Sequence, residues 1–263
     1  MSQNLQQLLD IMTKLRDPET GCDWDKQQTF KTIVPHTLEE AHEVADAIEQ
    51  ADFIGLKDEL GDLLFQVIFY AQLGKEQGLF DFDSIVAGLN EKLIRRHPHV
   101  FEQQQSLSEQ ELDEQWQAIK QAERKDEDKD MQFGADIVAS LPALTRAKKI
   151  QKRAASLGFD WPSYHGALDK VEEEVLEVKE ALNENPYSEH SAEELGDLLF
   201  ATVNVVRHTK RDPEQLLRQA SSKFTARFVQ IESVLARKNI TLEEATLEQM
   251  DAAWEHIKTQ SKT

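Results

Sequence analysis

The 263-residue sequence contains a single cysteine, Cys22. A disulfide within the chain is thereby excluded, as is a zinc centre built from several thiolates of one chain, and a reducing compartment fits. Glycine and proline are sparse, at ten and seven, and alternating β-branched runs are few, so strands and tight hairpins are not expected. The Gly-rich phosphate loop of P-loop enzymes is missing. Long apolar runs are missing too: the stretches around Leu63 to Leu73 and Leu198 to Val206 are too short to span a bilayer. The opening Met-Ser-Gln-Asn-Leu has no basic, signal-type character, so a cytoplasmic protein without a membrane partner is expected. Positive charge is also short, with 30 Lys and Arg against 49 acidic residues and a net charge of −19. Such a chain repels a phosphate backbone, so no nucleic-acid partner is expected. The same excess suits a protein that gathers hard divalent cations, which prefer carboxylate oxygens.

What the sequence does have is internal repetition. Glu-Leu-Gly-Asp-Leu-Leu-Phe occurs at Glu59 to Phe65 and again, unchanged, at Glu194 to Phe200. Ahead of each lies an acidic cluster: Glu39, Glu40 and Glu43 in one copy, Glu173, Glu174 and Glu177 in the other. Behind each, Lys92 and Arg96 match Lys223 and Arg227, and Trp116 matches Trp254, while Trp24 precedes the first cluster as Trp161 precedes the second. Self-similarity in constant order marks a duplicated unit. Apolar residues recur three and four apart, as at Leu5, Leu8, Leu9 and Met12, which is helical spacing. The expectation is an all-α chain of two tandem helical bundles, residues 1–125 and 140–263. The charged stretch 126–139 would link them, as part of a Lys, Asp and Glu-rich segment from Gln121 to Gly134 that reads as a solvated linker or an exposed helix end. His97, Pro98 and His99 read as a helix boundary, since proline stops propagation.

On a helix, residues three or four apart share a face. Glu40 with Glu43, and Glu59 with Asp62, therefore form two carboxylate combs, and a turn near Asp52 to Gly55 would face them together as a cup. Glu174, Glu177, Glu194 and Asp197 repeat the construction, with the turn between Asn183 and Ser191. Four converging carboxylates repel one another unless a cation sits among them, and magnesium, an octahedral oxygen binder that shares its coordination with phosphates, is the natural occupant. Glu39 or Glu173, one residue from the first comb, is placed to orient or deprotonate a water. Gly61 and Gly196, inside the repeated heptapeptide, are explained equally by close helix packing and by room for a ligand.

The pattern Glu-Glu-x-x-Glu followed by Glu-x-x-Asp resembles the signature of the MazG nucleotide pyrophosphohydrolases, and both copies carry it. Gly21 to Thr29 is similar to that family's Cys-Pro-Trp-Asp-x-x-Gln-Thr opening, with Asp23 where proline is usual. The resemblance implies an α-helical, usually dimeric enzyme that uses magnesium to hydrolyse nucleoside triphosphates to monophosphate and pyrophosphate. It implies metal binding at Glu174, Glu177, Glu194 and Asp197, and at Glu40, Glu43, Glu59 and Asp62. Glu173 and Glu174 are the catalytic candidates, and Lys170, Glu193, Lys223, Arg227 and Trp254 the substrate contacts, Trp254 by stacking on the base. His36 stands where the second copy has Lys170, so the second copy is expected to be the main catalyst.

Two other readings compete. A di-iron carboxylate bundle is suggested by Glu39-x-x-His42, but the second copy has Leu176 where its histidine would be. A non-catalytic helical regulator, binding a basic protein partner through its acidic faces, would show no magnesium-dependent turnover.

Overall fold

The computed structural model describes residues 2–102, 106–126 and 132–260, in which every regular element is helical. The all-α expectation is met. The chain divides into two compact units, Met1–Asp128 and Lys129–Thr263. The charged segment between the copies is partly helix: the seventh helix continues through Gln121 to Asp126, and residues 127–131 lie outside the described residues.

In the first unit, α1 (Gln3–Leu15) begins at Ser2, whose hydroxyl accepts from Leu5 N at 3.3 Å. After the short α2 (Asp23–Gln27), α3 (Phe30–Glu49) opens with a reciprocal Thr29 and Thr32 capping box. It ends at residues 50–54, and α4 (Gly55–Glu76) returns along it. The turn is a Schellman motif: Asp52 N donates to Ala47 O at 2.9 Å and Ala51 N to Ile48 O at 3.1 Å, with Ala51 in the left-handed region at φ 57. Then Asp52 Oδ1 accepts from Ile54 N and Gly55 N and starts α4. Met12, Ile33, Ile68, Phe69 and Leu73 form the buried core between α1, α3 and α4. The unit continues with α5 (Phe82–Arg96), α6 (Pro98–Phe101) and α7 (Glu109–Asp126). His97 closes α5 and Pro98 opens α6, so the His-Pro-His segment is a helix boundary.

The second unit repeats the plan. Its α8 (Ala143–Ala155) packs on α10, and α9 (Tyr164–Glu184) and α10 (Glu189–His208) form the hairpin that matches α3 and α4. Residues 185–188 make the turn, where the buried Ser191 Oγ donates to Asn185 O at 2.7 Å. Next, α11 (Pro213–Ala236) starts at Asp212, which accepts from Gln215 N, with Pro213 in the first turn. It packs on α12 (Leu247–Gln260) through Ile231, Leu235, Ala253 and Ile257. No helix among the described residues is long and apolar enough to cross a membrane.

Candidate metal centre and adjoining cavity

In the second unit, α9 carries Glu174 and Glu177 and α10 carries Glu194 and Asp197. One carboxylate oxygen from each of Glu174, Glu194 and Asp197 lies within 4.8 Å of the others. Glu174 is only 4% exposed, and its buried Oε2 has no hydrogen-bond partner among the described residues. A buried carboxylate oxygen left unpaired is costly, so this orphan marks where a cation fits. The donors are all oxygen, which suits a hard divalent ion such as magnesium. Part of the charge is already answered: Lys170 Nζ sits 2.7 Å from Glu174 Oε1 and 3.0 Å from Glu173 Oε1. Hydrogen bonds to Glu174 first, and to Glu173 second, hold the ammonium above the ordinary lysine range. Glu177 stands outside the close trio, yet desolvation, together with the charges of Glu174, Glu194 and Glu173, raises its carboxyl against the pull of Lys170. Glu193 is exposed beside the cup. His190 Nδ1 lies 3.4 Å from Glu194 Oε1.

The first unit brings Glu40, Glu43 and Glu59 to the same 4.8 Å spacing. Here Asp62 is the carboxylate outside the trio, but its charge reaches both neighbours. Burial, then Asp62, then Glu43 push the Glu40 carboxyl up; desolvation, Glu43 and Asp62 do the same to Glu59. In place of a lysine there is His36, whose Nδ1 is 3.8 Å from Glu39 Oε2. Close packing among the described residues does not account for Gly61 or Gly196: a Cβ added at either would meet none of their atoms within 4 Å.

A cavity of about 770 Å³ opens beside Glu174, Asp197 and Lys170. Its walls are largely apolar, with Leu157, Phe159, Trp161 and Phe200 among them. Phe133, from the stretch read as linker, also lines it. Two amides supply polarity. Gln151 Nε2 donates to Phe200 O at 2.8 Å, while its buried Oε1 has no partner. Asn204 Oδ1 accepts from Arg207 Nε at 2.8 Å, and the same guanidinium bonds Asp160 through both carboxylate oxygens. Asp160 Oδ1 in turn accepts from Trp161 N at 2.9 Å. Trp161 rests on the first turn of α9 at Gly166, where a Cβ would come within 2.2 Å of the indole Cδ1.

The repeated heptapeptide fixes the register of α4 on α10, and along that register the two units diverge at the cavity. Phe69 stands for Asn204 and Gln66 for Ala201. Phe69 is fully buried, edge-on to Trp24 at 6.4 Å and to Phe65 at 5.9 Å. In the first unit, then, the tryptophan that matches Trp161 packs against a phenylalanine; in the second that neighbour is an amide. Gln151 and Asn204 were not singled out from the sequence, and Trp161 only as the counterpart of Trp24. The available signal was this large-to-small change between copies, downstream of the identical heptapeptide.

The remaining expected substrate contacts lie elsewhere in the second unit. Lys223 and Arg227 are on α11 and Trp254 on α12, and none of the three lines the cavity. Arg227 lies over the Trp254 ring at 5.7 Å, and Phe224 packs against it at 5.2 Å, so the indole is engaged by its own chain. In the first unit the matching Arg96 lies over Trp116 at 5.2 Å, but there Glu123 binds Arg95 and Arg96, each at 2.7 Å. Those hydrogen bonds, Arg96 first, pull the Glu123 carboxyl down to about 2.

Duplicated helical hairpins, each carrying an oxygen-only acidic cup, define a class of all-α proteins whose carboxylates could hold a metal ion. The profile of the MazG nucleotide pyrophosphohydrolase domain matches residues 28–101. Over 257 residues, 97% of each chain, the sequence is 48% identical to the nucleoside triphosphate pyrophosphohydrolase of Escherichia coli (strain K12). It is 42% identical over 258 residues, 98% of this chain and 97% of the other, to the nucleoside triphosphate pyrophosphohydrolase/pyrophosphatase MazG of Thermotoga maritima. A Mycobacterium tuberculosis nucleoside triphosphate pyrophosphohydrolase is 31% identical over 160 residues, 60% of this chain and 48% of that one. The chain belongs to the MazG nucleotide pyrophosphohydrolase family.

Proposed function

We propose that this protein hydrolyses nucleoside triphosphates between the α and β phosphates, releasing monophosphate and pyrophosphate, with magnesium in the second cup. The observation that carries the reading is Glu174: buried, with one oxygen orphaned, and converging with Glu194 and Asp197 beside a cavity of nucleoside size. The names of its full-length relatives support it. Glu174, Glu177, Glu194 and Asp197 would hold the ion, which when bound neutralises charge on the phosphate oxygens. Glu173, exposed at the rim, accepts the proton of the attacking water. The water oxygen bonds to the α phosphorus and the pyrophosphate oxygen departs with the bonding electrons. Lys170, 2.7 Å from Glu174 Oε1, is the ammonium that would pair with the phosphates if an ion took over Glu174. Glu193 sits at the rim for a polar contact with the substrate. Lys223 and Arg227 form a separate cationic ledge for the polyphosphate, with Trp254 holding Arg227 in place.

The first cup, of Glu40, Glu43, Glu59 and Asp62, is the weaker or supporting one in this proposal. His36 stands for Lys170, Phe69 for Asn204, and Glu123 binds Arg96, the counterpart of Arg227. We place the protein in the cytoplasm as a homodimer, for which the apolar residues exposed along the hairpins, such as Leu60, Leu64, Leu195 and Leu199, provide surface. The test is pyrophosphate release from a panel of triphosphates with and without magnesium, comparing Glu174→Ala with Glu40→Ala. Magnesium-dependent release lost only in Glu174→Ala is the expected result. Equal losses would contradict the ranking, and diphosphate plus phosphate as products would overturn the reaction.

A further inference from the structure

The end of α5 in the first unit carries a contact that the acidic cup does not explain. Arg95 and Arg96 close together on one carboxylate, that of Glu123 on α7. Arg95 donates to Oε1 from Nε at 3.0 Å and from Nη2 at 2.7 Å; Arg96 donates from Nε to Oε1 at 3.2 Å and from Nη2 to Oε2 at 2.7 Å. The Arg96 guanidinium is backed by the Trp116 ring at 5.2 Å. Paired guanidinium forks of this kind accept carboxylate and phosphate oxygens with the same geometry. Glu123 stands seven residues beyond Trp116, two helical turns on, so both project from one face of α7 towards α5. The hydrogen bonds that hold the Glu123 carboxyl at about 2 keep it ionised at neutral pH, and the clamp stays filled.

The second unit has the ledge without the carboxylate. Arg227 lies over Trp254 at 5.7 Å and has no ion-pair partner among the described residues. With Arg96 matched to Arg227 and Trp116 to Trp254, Ala226 falls at the position of Arg95 and Ser261 at that of Glu123. The additional arginine and the glutamate that fills the clamp are thus both absent from the second copy at the matched positions. Lys92, one turn before Arg96, is exposed and likewise unpaired among the described residues, as befits the rim of an anion site.

We propose that Arg95, Arg96 and Lys92 form a second polyphosphate-binding site, which Glu123 occupies and closes, so that the first unit takes up no phosphate chain while that contact holds. This rests on the reading of Lys223 and Arg227 as the polyphosphate ledge of the second unit. Glu123 acts as a tethered phosphate mimic. Being part of the chain, it competes at a high effective concentration and without the cost of bringing two molecules together, which a free phosphate chain must meet.

The test is calorimetric binding of inorganic tripolyphosphate, with magnesium, to the full-length protein. Wild type, Glu123→Gln, Glu123→Gln combined with Arg96→Gln, and Arg227→Gln are compared. Wild type should bind one tripolyphosphate per chain and Glu123→Gln two, while adding Arg96→Gln should weaken the gained site at least about tenfold, the worth of one charge-assisted hydrogen bond. A gain of binding separates a vacated site from a loosened strut between α5 and α7, which adds no site. A single site in Glu123→Gln, two sites in wild type, or a second site indifferent to Arg96→Gln overturns the proposal. No binding by wild type, or Arg227→Gln binding as wild type does, overturns the ledge reading of the second unit and this inference with it. If Arg227→Gln loses affinity while Glu123→Gln gains no site, the inference alone fails.

Discussion

Lys170 stands in for the cation, and removing it makes the electrostatics of the cup measurable. In Lys170→Met, Glu174 loses the ammonium 2.7 Å from Oε1 while its Oε2 is already without a partner. Breaking a buried ion pair by deleting one member costs roughly 3–5 kcal/mol. Glu174 is buried, but the lysine side chain is 36% exposed, so water screens the pair; about half of that, about 2 kcal/mol, is the expected loss without metal. For a unit of this size that lowers the melting temperature by about 8 °C. Magnesium stabilises both proteins, and it should narrow the deficit by as much as the variant binds the ion more tightly; closing about 2 kcal/mol takes an affinity about 30-fold higher. The variant should also bind magnesium more tightly than wild type, since the lysine no longer competes for Glu174. Differential scanning calorimetry with and without magnesium, plus a titration of the ion, reads both effects. A deficit of the same size in both conditions, or weaker magnesium binding by the variant, refutes the idea that ammonium and cation answer the same carboxylate.

Three further outcomes are expected. Ala51→Gly relieves a left-handed alanine at φ 57 in the Schellman turn and should stabilise the first unit by about 0.5–1 kcal/mol in urea denaturation; a loss would show the turn to be held otherwise. Gly166→Ala puts a methyl 2.2 Å from Trp161 Cδ1, so the indole must move, and the second unit should lose about 1–3 kcal/mol in urea denaturation; unchanged stability would show that the ring has room to turn aside. The raised carboxyl of Glu177 gives a pH test. A carboxyl held above its ordinary 4.5 favours the folded state below that value, and this contribution is lost as pH rises through the raised value. Without metal, Glu177→Gln should therefore be more stable than wild type at neutral pH, with the difference closing towards about pH 4.5. Melting curves across that range check it, and a gap that widens on acidification has the wrong sign.

The cups were legible because their geometry is short-range: carboxylates three apart on one helix must share a face, and a short turn must bring two such helices side by side. Glu174, Glu194 and Asp197 come together in this way, as do Glu40, Glu43 and Glu59. Which member stands outside the trio, Glu177 in one unit and Asp62 in the other, depends on side-chain reach and is not encoded in spacing. The cavity was not legible, since its lining spans α8, the loop carrying Asp160 and Trp161, and α10, and no periodicity joins those segments. Trp254 was singled out by its match to Trp116 and by the family resemblance, yet its surroundings are Arg227 and Phe224 from α11. The glycines of the heptapeptide left packing and ligand room equally open, and only the folded structure shows that, among the described residues, no other element comes within 4 Å of a Cβ placed there.

One guanidinium, that of Arg207, grips both the amide at 204 and the carboxylate of Asp160 that steadies the Trp161 backbone. Lysine, a point charge without the planar fork, has no geometry to serve both at once. A change at residue 204 is therefore felt three hydrogen bonds away by the tryptophan, through Arg207 and Asp160. The unit lacking this bracket has Phe69 and Gln72 at those two positions, both changed together.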